Sequence, residues 1–254
     1  MLKVAFVSAN GGVGKTALTA NLASLLARRG QPVLALDFDP NNLLGLHFGL
    51  MPDEADGIAA RSINGGAWQQ AAFSNTEGVR FLPFGELDEA QRASFGDRLG
   101  ENPLWLRSRI DQVDMPENAL ALIDTPRLPS IYAQQAIAAA DIVIAVVAAD
   151  ASCYAKLPAL RRNIANSGKL KSAYYVVNFA DAARRLHNDI IALLRMDLGE
   201  RLLPYFIHHD EAVPESLASN RGLADYAPRG QAAHDLQGLA AWLLERSATP
   251  KALA

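Results

Sequence analysis

The chain has 254 residues, half of them apolar, which is enough for a sizeable buried core. Its 24 Lys and Arg against 27 Asp and Glu give a net charge of −3, and the basic residues are scattered, so no basic face advertises nucleic acid. The single cysteine, Cys153, excludes disulfide staples and fits a reducing cytoplasm, and no apolar stretch approaches the ~20 residues that span a bilayer.

Apolar runs alternate with helix-length segments along the chain. A first strand is expected over 2–7, leaving no room for a signal peptide ahead of it, and a helix over 16–29 with Gly30 as its stop. Further strands are expected at 33–36, 79–83, 119–123, 141–147 and 173–177, with a seventh at 202–207. Helices are expected over 183–198 and 231–246, while 52–78 is the most irregular stretch. The tail, 247–254, carries Pro250 and makes a poor amphipathic anchor. Continuous apolar strands between helices predict one α/β domain over 1–254, with a mostly parallel, twisted sheet of seven to eight strands covered on both faces.

Between the first strand and first helix lies Ser8-Ala-Asn-Gly-Gly-Val-Gly-Lys-Thr-Ala17. Glycines let successive N–H groups face inward, and the helix start adds its positive dipole end, which together cradle phosphate. Lys15 is placed to reach the β/γ-phosphates and Thr16 to ligate Mg²⁺. In open parallel sheets ligands bind beyond the carboxyl ends of the strands, and Asp37, Asp39, Asp124 and Asn178 all fall there. Any one of them alone reads as a turn or cap residue; with a phosphate loop on the first strand they converge on one crevice. Asp124 is the expected Mg²⁺ carboxylate. Asp39, better placed in a switch loop than Asp37, is expected to orient the attacking water or hold a metal-bound one. The Asn178 amide suits the N6/N7 edge of adenine better than a guanine edge.

The loop departs from the ordinary Walker A pattern, with Ala9 where a glycine would stand. Its Gly11-Gly12 pair resembles the deviant Walker A of the ParA/MinD ATPases. In that family a signature lysine precedes the pair and reaches the partner's nucleotide; here that position is Asn10. Asp37-x-Asp39-Pro40 resembles switch I of this class, Asp124-Thr-Pro126 its Walker B and switch II, and 204–226 its final strand and adenine loop. Five further segments resemble the BcsQ branch, linked to cellulose biosynthesis: Asp39-Pro-Asn-Asn-Leu-Leu44, Leu82-Pro-Phe-Gly-Glu-Leu87, Asp124-Thr-Pro-Arg127, Asp150-Ala-Ser-Cys153 and Leu203 to Ala212.

The resemblance implies a single ParA/MinD-like P-loop NTPase domain, ATP/ADP with Mg²⁺, and a homodimer that sandwiches two nucleotides. It assigns Asn10, Gly11, Gly12, Val13, Gly14, Lys15, Thr16 and Ala17 to the phosphates. Asn178, Ile207, His208 and Asp210 line the base, Thr16, Asp39 and Asp124 hold the metal, and Lys15 and Asp39 are catalytic. Implied partners are a small BcsR-like companion and components of the cellulose synthase complex, with no direct DNA binding. The chain is expected in the cytoplasm, reaching the inner membrane only through those partners. Asn10 implies slow hydrolysis, and a nucleotide-dependent assembly module that scarcely turns over stays open beside a partitioning or positioning ATPase. Arg127 is either a solvated surface arginine or a cation at the dimer seam. His208-His209-Asp210-Glu211 has metal-ligand chemistry, but neighbouring loop residues seldom converge on one ion, so the adenine rim is the reading kept.

Overall fold

The computed structural model describes residues 1–51 and 55–248; the tail from 249 onward lies outside them. In chain order the elements are β1 (Leu2–Val7), α1 (Lys15–Arg28), β2 (Val33–Asp37), α2 (Ile58–Ile63), β3 (Phe73–Ser74), β4 (Val79–Leu82), α3 (Glu89–Glu101), α4 (Trp105–Ile110), β5 (Leu120–Asp124), α5 (Ile131–Ala139), β6 (Ile142–Ala148), α6 (Ala151–Asn166), β7 (Ala173–Asn178), α7 (Arg185–Leu198), α8 (Ala212–Ala218), α9 (Leu223–Tyr226) and α10 (Gln231–Ser247). The seven strands form one sheet in the order β3-β4-β2-β5-β1-β6-β7. Only β3 runs antiparallel, against β4.

The strands are apolar throughout because both faces are covered. Alternate residues of β1 serve opposite cores: Val4 and Phe6 pack with Leu22, Leu26, Leu239 and Leu243 of α1 and α10. Ala5 and Val7 face the other core, with Ile123, Ala133 and Ile137. That second core contains an aromatic cluster in which Phe95 meets Trp105 edge-on at 5.2 Å and Phe84 meets Tyr132 at 5.4 Å. The edge-to-face geometry places positive ring edges on negative ring faces. α1 ends where Gly30 turns left-handed at φ 77°, as its position in the sequence predicts.

The strand count agrees with expectation, but its membership differs. Residues 202–207 form no regular strand. Leu203 and Ile207 donate to the Tyr175 and Val177 carbonyls of β7, at 2.8 and 2.9 Å, while Pro204 between them has no N–H to give. In its place the irregular 55–78 stretch supplies β3, a two-residue strand too short to show alternation.

A short 3-10 turn over Leu44–Phe48 leads away from β2 and lies against α1. His47 is half-buried in that turn, and burial lowers its pKa from 6.5 to about 4. The folded chain therefore keeps His47 neutral at a pH where the unfolded chain protonates it. This contribution is intact above the unfolded pKa and is lost as pH falls from 6.5 toward 4, by about 3 kcal/mol at most. Denaturant titrations of wild type and His47→Gln across that window should show a steeper loss in the wild type. Parallel profiles would mean that the imidazole charges freely in the folded state.

Candidate functional site

β1 lies between β5 and β6, so the turns leaving these central strands open onto one edge of the sheet. Residues Asn10 to Ala17, with Asp39, Asn178, Ile207, His208 and Asp210, line a single crevice there, of about 790 Å³. Asp124, 1% exposed, sits behind the lining, hydrogen-bonded to Thr16 of the wall. The residues singled out from the sequence are thus brought together.

The loop curls because Gly12 and Gly14 are left-handed, at φ 70° and 76°. Gly14 is doubly constrained: a Cβ there would come within 2.4 Å of the Asn178 amide nitrogen and 3.0 Å of the Phe179 ring. That amide nitrogen donates to the Val13 carbonyl at 2.8 Å, so Asn178 buttresses the phosphate loop from the end of β7. Its carbonyl oxygen has no partner among the described residues and remains free to accept.

Thr16 donates its hydroxyl to Asp124 Oδ2 at 2.6 Å, and Lys15 Nζ lies 3.9 Å from Oδ1. Oδ1 is buried and makes no hydrogen bond. Burial raises the Asp124 pKa to about 6, against the Lys15 charge and the Thr16 hydroxyl that favour its anion. An unsatisfied carboxylate oxygen beside a hydroxyl and an ammonium fits a site for a hard divalent cation.

Asp37 takes a different role from its neighbour. Its carboxylate accepts from the Leu44 N–H at 2.8 Å and the Asp39 N–H at 3.0 Å, fixing the loop that follows β2. Desolvation, then the nearby Asp124 charge, push its pKa well up. Asp39 lines the crevice and closes a local turn by accepting from Asn41 N–H and Nδ2, both at 3.0 Å.

Asn10 donates to Ser152 Oγ at 2.8 Å, near the start of α6, while its own Oδ1 is buried and unpartnered. Asp150 caps α6 by accepting from the Cys153 N–H at 2.8 Å. The Cys153 thiol is buried and its pKa is pushed up to about 11 by desolvation, which suits packing rather than nucleophilic chemistry. His208 and Asp210 line the rim but are held by the scaffold. His208 N–H and Nδ1 both meet Asp235 Oδ2, at 2.9 and 2.8 Å, and Asp210 accepts from the Ala212 and Ala232 N–H groups at 3.0 and 3.1 Å.

Arg127 also lines the crevice; its Cδ lies 4.0 Å from where a Gly11 Cβ would stand. The segment carrying it is tied to the base of the phosphate loop, Thr125 Oγ1 donating to Phe6 O at 2.6 Å and Leu128 N–H to Ser8 O at 2.8 Å. Lys15 and Arg127 are the lysine and arginine of the lining, and no carboxylate lies within ion-pair distance of Arg127 among the described residues. Sequence reasoning missed His47, Phe179, Leu43 and Leu217, which complete the wall. Leu43 and Leu217 fall inside segments that resemble the family but carry no polar chemistry, His47 and Phe179 fall outside them, and only the fold brings all four near the loop.

Comparison with known proteins agrees with this architecture. The family model described as cellulose biosynthesis protein BcsQ matches residues 1–244. BcsQ of Salmonella typhimurium is 30% identical over 249 residues, covering 95% of this chain and 93% of the relative. BcsQ of Escherichia coli K12 is 31% identical over 242 residues, covering 92% and 90%. The chromosome-partitioning ATPase Soj of Thermus thermophilus is 26% identical over 257 residues, covering 96% of each chain. Among solved structures, MinD of Pyrococcus horikoshii complexed with Mg-ADP superimposes with a TM-score of 0.78 at 22% identity, covering 99% of both chains. Cobyrinic acid a,c-diamide synthase of Mycobacterium smegmatis, with ADP and magnesium bound, gives 0.79 at 19% identity, covering 99% and 97%. The sheet is that of the MinD and ParA P-loop proteins, and the chain belongs to the BcsQ family of cellulose biosynthesis proteins.

Proposed function

We propose that this BcsQ-family chain binds ATP and ADP with Mg²⁺ in the crevice, and that two copies pair face to face across two nucleotides. The dimer then acts as a regulatory or assembly component of bacterial cellulose synthesis. The observation that carries the reading is the cluster of Lys15, Thr16 and the unpartnered Asp124 oxygen beneath a loop of inward-turned glycines. In it, Lys15 neutralises the β- and γ-phosphates, Thr16 and Asp124 hold the Mg²⁺, and Asp39 orients a water or a metal-bound one. The bound cation supplies charge compensation along the phosphate chain; the protein supplies position and a dry floor. The free Asn178 carbonyl oxygen accepts from an amino group, which adenine offers at N6 and guanine does not at O6. Ile207, His208 and Asp210 complete the base side of the pocket.

Partners in this reading are a small BcsR-like companion and the synthase complex, through which a cytoplasmic chain is recruited to the inner membrane. No helix among the described residues is long and apolar enough to cross a membrane. A module that binds nucleotide and scarcely hydrolyses it is favoured by Asn10, whose neutral amide is engaged by Ser152 within its own chain. Arg127 is then the cation left to face the γ-phosphate or the partner subunit.

Calorimetry should show ATP binding more tightly than GTP; equal affinities would remove the assignment to Asn178. Lys15→Ala should abolish nucleotide binding. Asp39→Ala should retain binding and slow any turnover by roughly 10²–10³-fold, the usual cost of one well-placed electrostatic group. Equal loss of affinity in both would overturn this division of roles.

The charge deficit makes a separate prediction. A cation supplied across an interface is worth roughly 10³–10⁵-fold in related phosphoryl transfers, so Asn10→Lys should raise turnover or tighten the ATP-bound dimer. Arg127→Ala should keep monomer affinity for ATP but lose the ATP-induced dimer, with Arg127→Lys restoring it only in part, since an ammonium lacks the guanidinium fork. Light scattering in saturating ATP reads both. A wild-type dimer constant for Arg127→Ala would return this residue to the solvated surface.

A further inference from the structure

A second cavity, of about 230 Å³, lies toward the amino-terminal end of β7, on the sheet edge opposite the nucleotide crevice. Its wall combines Arg161 of α6, Lys171 of the turn before β7, and Arg201 of the turn after α7 with Leu170 and Leu198. None of these three cations has a carboxylate within ion-pair distance among the described residues. The carboxylate of the lining, Asp197, accepts from the Tyr154 hydroxyl at 2.9 Å. A local excess of positive charge is thus built into a chain whose net charge is negative.

Two details indicate a prepared site. Arg201 is held in place: it donates to the Lys171 carbonyl, and its guanidinium lies 5.4 Å from the centre of the Tyr174 ring. A guanidinium fixed in this way loses little freedom on meeting a ligand. Beside it Tyr175, 2% exposed, lines the cavity with a buried hydroxyl that has no hydrogen-bond partner. Buried hydroxyls are ordinarily satisfied, so this one is short of an acceptor. Arg161 and Arg201 both act on the phenol electrostatically, so the two guanidinium groups and the hydroxyl share one neighbourhood.

We propose that this cavity is a second anion-binding site, which takes the phosphoryl group of a small molecule. Arg161, Arg201 and Lys171 neutralise it, and the Tyr175 hydroxyl donates to one oxygen. Two forks and a point charge around one donor suit a compact, multiply charged oxyanion, which offers acceptors in several directions. The volume accommodates pyrophosphate or a small phosphate ester with a few waters, each of which occupies about 30 Å³. The leucines Leu170 and Leu198 border it with apolar surface suited to the organic part of an ester. The proposal does not rest on the nucleotide reading, because the two sites share no residue.

The test is calorimetric titration of the full chain with inorganic pyrophosphate, and with inorganic phosphate in parallel, in wild type and four variants. Lys15→Ala disables the crevice and should leave one saturable pyrophosphate site. Arg161→Gln and Arg201→Gln, each placed in the Lys15→Ala background, should weaken that site roughly tenfold or more. Tyr175→Phe in the same background should weaken it several-fold while retaining the thermal stability of the parent. Tighter binding of pyrophosphate than of phosphate would favour a diphosphate; equal binding would favour a single phosphoryl group. Loss of all saturable binding in Lys15→Ala, or binding unchanged by both arginine substitutions, would overturn the proposal. Failure of ATP to bind wild type, with the arginine-dependent pyrophosphate site intact, would instead count against the nucleotide reading alone.

Discussion

Two carboxylates are buried side by side at the ends of adjacent strands, Asp37 of β2 in register with Asp124 of β5. Each is 1% exposed, and desolvation raises both pKa values, with the Asp124 charge adding to it at Asp37 and the Asp39 charge at Asp124. Such a pair is costly unless each member is compensated, and the two are compensated in different ways. Asp37 is satisfied by backbone N–H groups and so shapes the chain beyond β2. Asp124 is only half satisfied, by a hydroxyl and a distant ammonium, and so remains receptive. One strand end spends its carboxylate on architecture and its neighbour keeps one for chemistry.

The organisation around this pair explains why separate sequence segments read as one signature. Asn42, in left-handed backbone at φ 53°, accepts from the Phe84 and Gly85 N–H groups at 2.8 and 3.3 Å. The segment 39–44 is thereby fastened to 82–87. The Asp150–Cys153 segment meets the phosphate loop through Ser152 and Asn10. Four segments distant in sequence are thus bonded in two pairs beside the crevice.

Much of this was legible in the chain itself. The phosphate loop announces itself because glycine adopts its left-handed φ values at least cost, and the apolar strands are continuous because both faces are buried. Asp39, Asp124 and Asn178 were placed correctly at the sheet edge, since strand ends follow from the apolar runs before them. The failures have equally physical causes. The 202–207 run has strand composition, but Pro204 interrupts its ladder. β3 is fixed by pairing with β4 and not by its own pattern. That Asn178 supports Val13 follows from a contact across 165 residues, which no local pattern records. That His208 and Asp210, on the crevice rim, are held by hydrogen bonds to α8 and α10 is likewise recorded in no local pattern.

The segment after β5 has the mechanics of a cantilever. Its root is clamped at two points, Thr125 to Phe6 and Leu128 to Ser8, while the side chain of Arg127 projects unpaired between them. A load at the tip bends the arm without shifting the root, because displacing the root would break bonds to the buried central strand. The stiff sheet is therefore insulated from whatever the arginine meets. The freedom left to the arm is that of the Arg127 side chain between the clamps, and the phosphate loop and the arm keep a common datum at the end of β1.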